Sequence, residues 1–264
     1  MIPIFVVRKI CNPVTYRLSF TDMKEPITLL AQPVKSLLII PDVHGRKFWR
    51  SAVTSGQYDK VIFLGDYVDP YPSEHISQLD ALHELQDIID YHDQNADKVI
   101  LLLGNHDMHY LSHYYRDICA CDRFDEEHSA CLHTLFSRAD LFKLAHEEVV
   151  NSRRYLFTHA GVTRSWLRRN KQLIGSLDSN HLNGLLHSDA GIEALAQVGV
   201  ARYGDYPSGS LLWADCDEFV QSKPLSDVYQ VFGHSQQFDG RPVITPHYAC
   251  LDCRTHFVLK TLGN

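Results

Sequence analysis

Five apolar runs in this chain end in a glycine beside His, Asp or Asn. Val61-Ile62-Phe63-Leu64 runs into Gly65-Asp66-Tyr67-Val68-Asp69, which delivers two carboxylates three residues apart into a turn. Ile39-Ile40-Pro41-Asp42-Val43-His44-Gly45, Leu102-Leu103-Gly104-Asn105-His106-Asp107, Leu156-Phe157-Thr158-His159-Ala160-Gly161 and Val231-Phe232-Gly233-His234-Ser235 repeat the arrangement. Strand ends at a sheet edge are where open α/β folds place their ligands. The five endings therefore point to one site assembled by five strands.

Asp42, His44, Asp66, Asn105, His159 and His234 offer three carboxylate or amide oxygens and three imidazoles. Such a mixed set suits Mn, Fe or Zn, whereas calcium prefers oxygen throughout and structural zinc is usually closed by thiolates. Two ions need a bridging ligand. Asp66 lies on the middle of the first three loops, and a carboxylate can span ions about 3.5 to 4 Å apart. Burying so many polar groups without a cation would be costly. His109 and His113 follow at helical spacing and are expected as exposed helix residues near the cleft.

The elements that must position these groups follow from periodicity. From Ser36 onward, continuous apolar runs typical of strands buried on both faces alternate with helical patterns, which makes the body α/β. Helices are expected at 47–55 and 77–92, the latter from Leu79, Leu82, Leu85, Ile88 and Ile89 at helical spacing, and strands at 60–64 and 98–103. Residues 108–147 read as largely helical, with Leu132, Leu135, Phe136 and Leu141 as core candidates. A strand at 154–158 precedes a helical insertion at 165–200 broken at Gly175, Gly184 and Gly191. Strands at 228–232, 243–244, 248–252 and 257–259 close the chain and suggest a second sheet packed on the first. Residues 1–35 read as a β-hairpin extension, with Val14 to Leu18 as its second strand and Cys11-Asn12-Pro13 as its turn. With no linker or repeat, 1–264 is expected to be one domain.

Composition excludes several classes. At 264 residues with 45% hydrophobic and 22% charged residues, the chain can build a large core. No apolar run approaches the roughly twenty residues a bilayer requires, so no membrane association is expected. A net charge of -7 offers no long-range attraction to phosphate backbones, so broad nucleic-acid binding is not expected. Arg153-Arg154 and Arg168 to Lys171 are expected as solvated surface. Seven cysteines and a start without secretory-signal order fit a cytoplasmic location. Cys119-Ala120-Cys121 is too short to complete a zinc ribbon with Cys250-Leu251-Asp252-Cys253, so the thiols are expected to be buried or free.

The series Asp42-Val43-His44-Gly45, Gly65 to Asp69, Gly104-Asn105-His106-Asp107, His159-Ala160-Gly161 and Gly233-His234-Ser235 resembles the calcineurin-like metallophosphoesterases. It is most similar to their serine/threonine phosphoprotein phosphatase branch, whose Leu-Leu-Trp-Ser-Asp segment Leu211-Leu212-Trp213-Ala214-Asp215 also resembles. The resemblance implies a four-layer α/β/β/α sandwich of two mixed sheets flanked by helices. It implies a first metal on Asp42, His44 and Asp66 and a second on Asp66, Asn105, His159 and His234, with Mn expected to support activity in vitro. A metal-bridging hydroxide would attack phosphorus in line, His106 would protonate the leaving oxygen, and Asp69 would orient His106. Phosphomonoester hydrolysis of a phosphoprotein or small phosphoester is the implied activity. Hydrolysis of a dinucleoside polyphosphate or other phosphoanhydride is the first alternative, and a catalytically silent metal-binding interaction module the second.

Two departures bear on substrate. Where the branch continues Gly-Asp-x-Val-Asp with a phosphate-gripping Arg, this chain has Pro70, and between Ala214 and His234 it has no Arg and only Lys223. Arginine forks recognise phosphate oxygens in a way lysine does not. Arg46, Arg164, Arg202 and Lys223 are the candidates to rebuild the grip. Asp107 also stands where the family usually has Glu.

Overall fold

Successive side chains on a strand point to opposite faces, and in β3 (Ser36–Ile40) both directions are apolar. Leu37 and Ile39 face one core, Leu38 and Ile40 another, and all four are fully buried. The same split runs through β4 (Lys60–Phe63) and β5 (Val99–Leu102): Ile62 and Leu102 join Leu37, while Val61, Phe63, Val99 and Leu101 join Leu38. A strand with two apolar faces must sit in the middle of a layered structure, and burying each such side chain contributes roughly 1.5–3 kcal/mol. The computed structural model describes Ile4–Lys9, Asn12–Thr15 and residues 36–119, 121–138 and 140–260.

Among these residues two mixed sheets form. The first, seven-stranded, has the order β2-β1-β12-β3-β4-β5-β6, with β1 (Ile4–Lys9), β2 (Asn12–Thr15), β6 (Phe142–Lys143) and β12 (Phe257–Lys260). The second, five-stranded, has the order β10-β11-β9-β8-β7, with β7 (Ala145–Val150), β8 (Arg153–Thr158), β9 (Tyr229–Phe232), β10 (Val243–Ile244) and β11 (Tyr248–Cys250). Phe157, Tyr155, Tyr229, Val231 and Ala249 of the second sheet pack against Leu37, Ile39, Ile62, Phe257 and Leu259 of the first. Helices cover the outer faces. On the first lie α1 (Phe48–Thr54) and α2 (Gln78–Gln94), whose Trp49, Ala52, Leu85, Ile88 and Ile89 are buried. Ser77 starts α2 with a capping box, accepting from the Asp80 amide at 3.0 Å. On the second lie short helices from Arg164–Arg169 to Asp189–Leu195, packed through Trp166, Ile174, Leu182 and Leu195. No helix of the described residues is long and apolar enough to cross a membrane.

β1 and β2 pair antiparallel, and β1 pairs with β12 at the edge of the first sheet. Asn12 and Pro13 are strand residues rather than turn residues, a position proline tolerates on an outer strand where no amide is needed. Tyr16 to Leu18, read as part of the second strand, lie outside the described residues.

Three expectations are corrected. Residues 108–147 are not one helical region: α3 (Asn105–Leu111), α4 (His113–Ile118) and α5 (Ser129–Phe136) give way to β6 and β7. β7 is an outer strand, so its His146, Glu147 and Glu148 are charged and polar for an edge and mimic a helix surface in sequence. Gly191 does not break a helix but lies inside Asp189–Leu195, where a Cβ would stand 2.0 Å from the Leu185 carbonyl. Leu79 is 47% exposed rather than in the core.

Candidate functional site

The C-terminal ends of β3, β4, β5, β8 and β9 carry Asp42 and His44, Asp66 and Asp69, Asn105 to Asp107, His159, and His234 in turn. Backbone bonds lock these loops together. The Val43 and His44 amides donate to the Asp66 carbonyl at 2.9 and 2.7 Å, and the His234 amide donates to Asp42 Oδ1 at 2.9 Å. The Asp107 carboxylate accepts from the amides of Asp66, Tyr67 and Gly104 at 2.7, 3.0 and 2.8 Å, fastening the second loop to the third. Burial first, then the Asp66 charge, pushes Asp107 up to about 7 against the pull of those amides. Gly104 is required by contact: a Cβ there would stand 2.1 Å from Asp66 Oδ1.

Six side chains converge in the way the spacing predicted. Asp42, His44 and Asp66 bring ligand atoms within 4.8 Å of one another, as do Asp66, His159 and His234, and Asp66 belongs to both groups. His44 Nδ1 donates to the Val68 carbonyl at 2.7 Å and His159 Nδ1 to the Leu64 carbonyl at 2.9 Å. Each neutral ring therefore turns a bare Nε2 inward. His159 Nε2 faces Asn105 Oδ1 at 2.9 Å and Asp66 Oδ2 at 3.5 Å, and His44 Nε2 faces Asp66 Oδ2 at 3.5 Å. Lone pairs aimed at lone pairs are repulsive unless a cation lies between them. Among the described residues the buried His234 Nε2 has no partner either, and the Asn105 amide is oriented by its Nδ2 donating to Cys121 Sγ at 3.3 Å.

The charge states agree with cation binding. Burial, aided by the neighbouring cations and opposed by Asp66, drives His44 down to about 3, and burial with Arg202 beside it drives His234 well below the ordinary imidazole value. Both rings are neutral donors of the kind a metal requires. Burial would raise Asp66, but the charge of the neighbouring imidazoles, the raised His106 among them, outweighs it and holds the carboxylate ionised. Oxygen and imidazole ligands in this ratio fit a divalent transition metal.

Beside this cluster Asp69 is fully buried and holds three donors. His106 Nδ1 donates at 2.7 Å and His109 Nε2 at 2.8 Å to Oδ2, and the Tyr110 hydroxyl donates to Oδ1. Burial works against ionisation of Asp69, but the bonds from His106 and His109 hold it below the usual carboxylate range. Burial likewise works against protonated His106, yet Cys121, Asp66 and Asp69 raise it well above the ordinary value. His109 corrects an expectation: it is fully buried against Asp69 and the Phe124 and Tyr110 rings, while His113 is exposed as expected.

A family model described as calcineurin-like phosphoesterase matches residues 36–238. The chain belongs to that family. Solved structures that resemble it include Yfce, a phosphoesterase from E. coli, at 17% identity and a TM-score of 0.27, covering 47% of this chain and 57% of that one. They also include a protein serine/threonine phosphatase from Saccharomyces cerevisiae with similarity to human phosphatase PP5, at 14% identity and a TM-score of 0.45, covering 82% of this chain and 66% of that one. The chain thus spans less than two thirds of the length of either. No curated protein matches the sequence.

The cations of this chain lie only partly where the sequence placed them. Arg46 is next to the centre, with Nε on Glu74 at 2.7 Å and Nη1 on the Asp42 carbonyl at 3.2 Å. Arg202 reaches it from the 162–210 segment, paired with Asp215 at 2.7 Å and donating to Ser235 Oγ at 3.0 Å and the His234 carbonyl at 3.4 Å. Trp213, two residues before Asp215, sets its ring edge to face with that of His234, their centroids 5.9 Å apart. Arg164 instead donates to the Lys223 and Pro224 carbonyls, and among the described residues no bond joins Arg164 or the exposed Lys223 to the centre. The correction is topological, because both sit at the opposite end of β8 and β9 from His159 and His234. Arg123, absent from the candidates, is at the centre: its guanidinium stacks 3.8 Å over Tyr71 and its Nη2 lies 3.0 Å from His106 Nε2. The only signal for it in the sequence was the cation missing at position 70.

Proposed function

We propose that this chain is a dinuclear metal-dependent phosphatase that transfers a terminal phosphoryl group, linked through one oxygen to its leaving group, to water. The observation that carries the reading is the pair of inward-facing, acceptor-only ligand groups sharing Asp66 and lying beside the Asp69–His106 pair. Asp42, His44 and Asp66 would hold one ion and Asp66, Asn105, His159 and His234 the other. When bound, the ions would polarise the phosphoryl oxygens and lower the pKa of the attacking water. Asp69 fixes the His106 ring through Nδ1, leaving Nε2 directed outward. A protonated Nε2 can then give its proton to the leaving oxygen as the P–O bond breaks, a step worth about 10²–10⁴ in rate. Asp107 and the backbone bonds it accepts keep the second and third loops in register, so that acid and ligands hold a fixed separation.

Metal analysis of the purified chain, paired with aryl phosphate hydrolysis before and after chelation and Mn readdition, tests this. Near two metals per chain, with activity lost on chelation and restored by Mn, is expected. Bound metal with no turnover on any phosphoester would replace the hydrolase reading with that of a metal-binding module.

A further inference from the structure

Three arginines from three separate loops surround one ring. Arg123, from the loop between α4 and α5, lies 3.8 Å over the Tyr71 ring, Arg46, from the loop after β3, 5.4 Å, and Arg254, from the loop between β11 and β12, 5.9 Å. Tyr71 in turn sets its ring 5.0 Å from that of His44. The negative charge against these guanidiniums is small. Glu74 is shared by Arg46 at 2.7 Å and Arg254 at 3.2 Å, and Arg123 has only the 85% exposed Asp122 at 3.4 Å. Donors also remain unspent. Among the described residues Arg46 Nη2 is buried without a partner, and Arg123 Nη2 has His106 Nε2 beside it and no bond to a carboxylate. Arg254 has a half-exposed side chain steadied by the Gln236 amide oxygen at 2.6 and 2.7 Å.

The position of this surplus relative to His106 gives its meaning. On the reading proposed above, the leaving oxygen is the one that meets His106 Nε2, and Arg123 Nη2 is 3.0 Å from that atom. A cation that close contacts the leaving group, and the Tyr71 ring joins it to the guanidiniums of Arg46 and Arg254. An alcohol leaving group has no use for three guanidiniums, whereas a leaving group that is itself a phosphate does, since arginine forks pair with its oxygens.

We propose that Tyr71, Arg123, Arg46 and Arg254 form an oxyanion pocket on the leaving-group side of the centre, and that the preferred substrate is a phosphoanhydride. In the reaction the oxygen of water bonds to the attacked phosphorus while the P–O bond to the bridging oxygen breaks, its electron pair remaining on that oxygen. The leaving phosphate takes the His106 proton, and the water's lost proton restores His106, so the products are two phosphates and no net charge is created. The pocket rests on the hydrolase reading for the direction of the leaving group, and the test separates the two.

The full chain is assayed with excess Mn on tripolyphosphate and on an aryl phosphate, for wild type, Arg123→Gln, Arg254→Gln and Arg254→Lys. Calorimetric titrations of the metal-free chain with tripolyphosphate and with inorganic phosphate give a readout independent of turnover. Expected are a kcat/KM ratio of anhydride over aryl phosphate that falls at least tenfold in both Gln variants and partly recovers in Arg254→Lys. Tripolyphosphate should bind the wild type at least tenfold tighter than inorganic phosphate, and the Gln variants should lose that margin while keeping the wild-type melting profile. Equal losses on both substrates, or equal affinity for both anions, would overturn the pocket. Metal-dependent turnover of the aryl phosphate alone would keep the hydrolase and discard the anhydride preference. Arginine-dependent tripolyphosphate binding with no turnover of either substrate would support the pocket and overturn the hydrolase.

Discussion

Replacing Asp69 by Asn removes one charge and disturbs three donors at once. The carboxylate accepts from His106 Nδ1 at 2.7 Å, from His109 Nε2 at 2.8 Å and from the Tyr110 hydroxyl, and none of these groups can turn to water because all are buried. An amide in the same place keeps one acceptor oxygen and presents an NH₂ to at least one donor. Breaking a buried charged network from one side costs roughly 3–5 kcal/mol, which for a domain of this size lowers Tm by about 6–20 °C at about 2–4 °C per kcal/mol. The sign with pH follows from the depressed Asp69 value. Its contribution is fully present above the ordinary carboxylate pKa and is lost as pH falls through the lower folded value, so wild type and variant converge only on the acid side. Catalytically, a His106 without its counter-charge is protonated less of the time and its ring is less well oriented, and a loss of about 10²–10⁴ is expected. The loss should grow with leaving-group pKa, which a series of aryl phosphates measures directly. A loss that is uniform across the series, or a melt unchanged at neutral pH, would refute the assignment of Asp69 as the group that orients and charges His106.

Other perturbations isolate the remaining parts. Gly104→Ala should lower Tm, because the new Cβ meets Asp66 Oδ1 at 2.1 Å and the Asp66 amide at 2.6 Å; overpacking of that kind costs about 1–3 kcal/mol, and Mn affinity measured by titration should fall with it. Asp66→Asn should keep the fold but reduce bound metal below two per chain by elemental analysis; retention of two ions at full rate would remove Asp66 as the bridge. On acidification, His44 and His234, held neutral in the fold but free to protonate when unfolded, make stability fall as pH drops below about 6.5 toward the lower folded values; a melt series on metal-free protein should show this decline. Saturating Mn should raise Tm by mass action, by about 2.7 kcal/mol of stability at a hundredfold excess over Kd, and chelation should reverse it.

The α/β alternation and the five ligand loops were legible because both are local. A strand buried on both faces writes a continuous apolar run, and a ligand at its end follows within a few residues of a glycine. Asp42, His44, Asp66, Asn105, His159 and His234 could therefore be brought together before any coordinates. Arg123 and His109 could not. Arg123 comes from a loop with no periodicity, and only the stacking on Tyr71 and the carbonyl of Asp69 aim it at His106. His109 lies one helical turn beyond His106, a spacing shared by exposed and buried histidines; that α3 turns this face toward Asp69 is decided by the packing of Phe124 and Tyr110. β7 was misread because an edge strand carries the charges of a helix surface.

The backbone itself links the ligand loops to their task. His44, Asp66, Asp69 and His234 all adopt left-handed conformations, with φ of 45°, 52°, 57° and 62°. For residues other than glycine this costs of order 1–2 kcal/mol each, and such strain persists only where the surroundings over-determine it. Here they do. The Asp66 carbonyl accepts two amides from the first loop, the Asp66 amide is held by Asp107, and the His234 amide by Asp42. Each strained residue is thus fixed by a bond to the neighbouring ligand loop, and a shift in one would be transmitted to the others. The left-handed turn directs a side chain back over the end of its own strand, which an extended continuation would carry away from the sheet edge. Four such turns, cross-bonded, bring the inward-facing ring nitrogens and carboxylates together around common centres. The cross-bonds offset the strain, and they are the reason five strands that meet only at their ends can present one site.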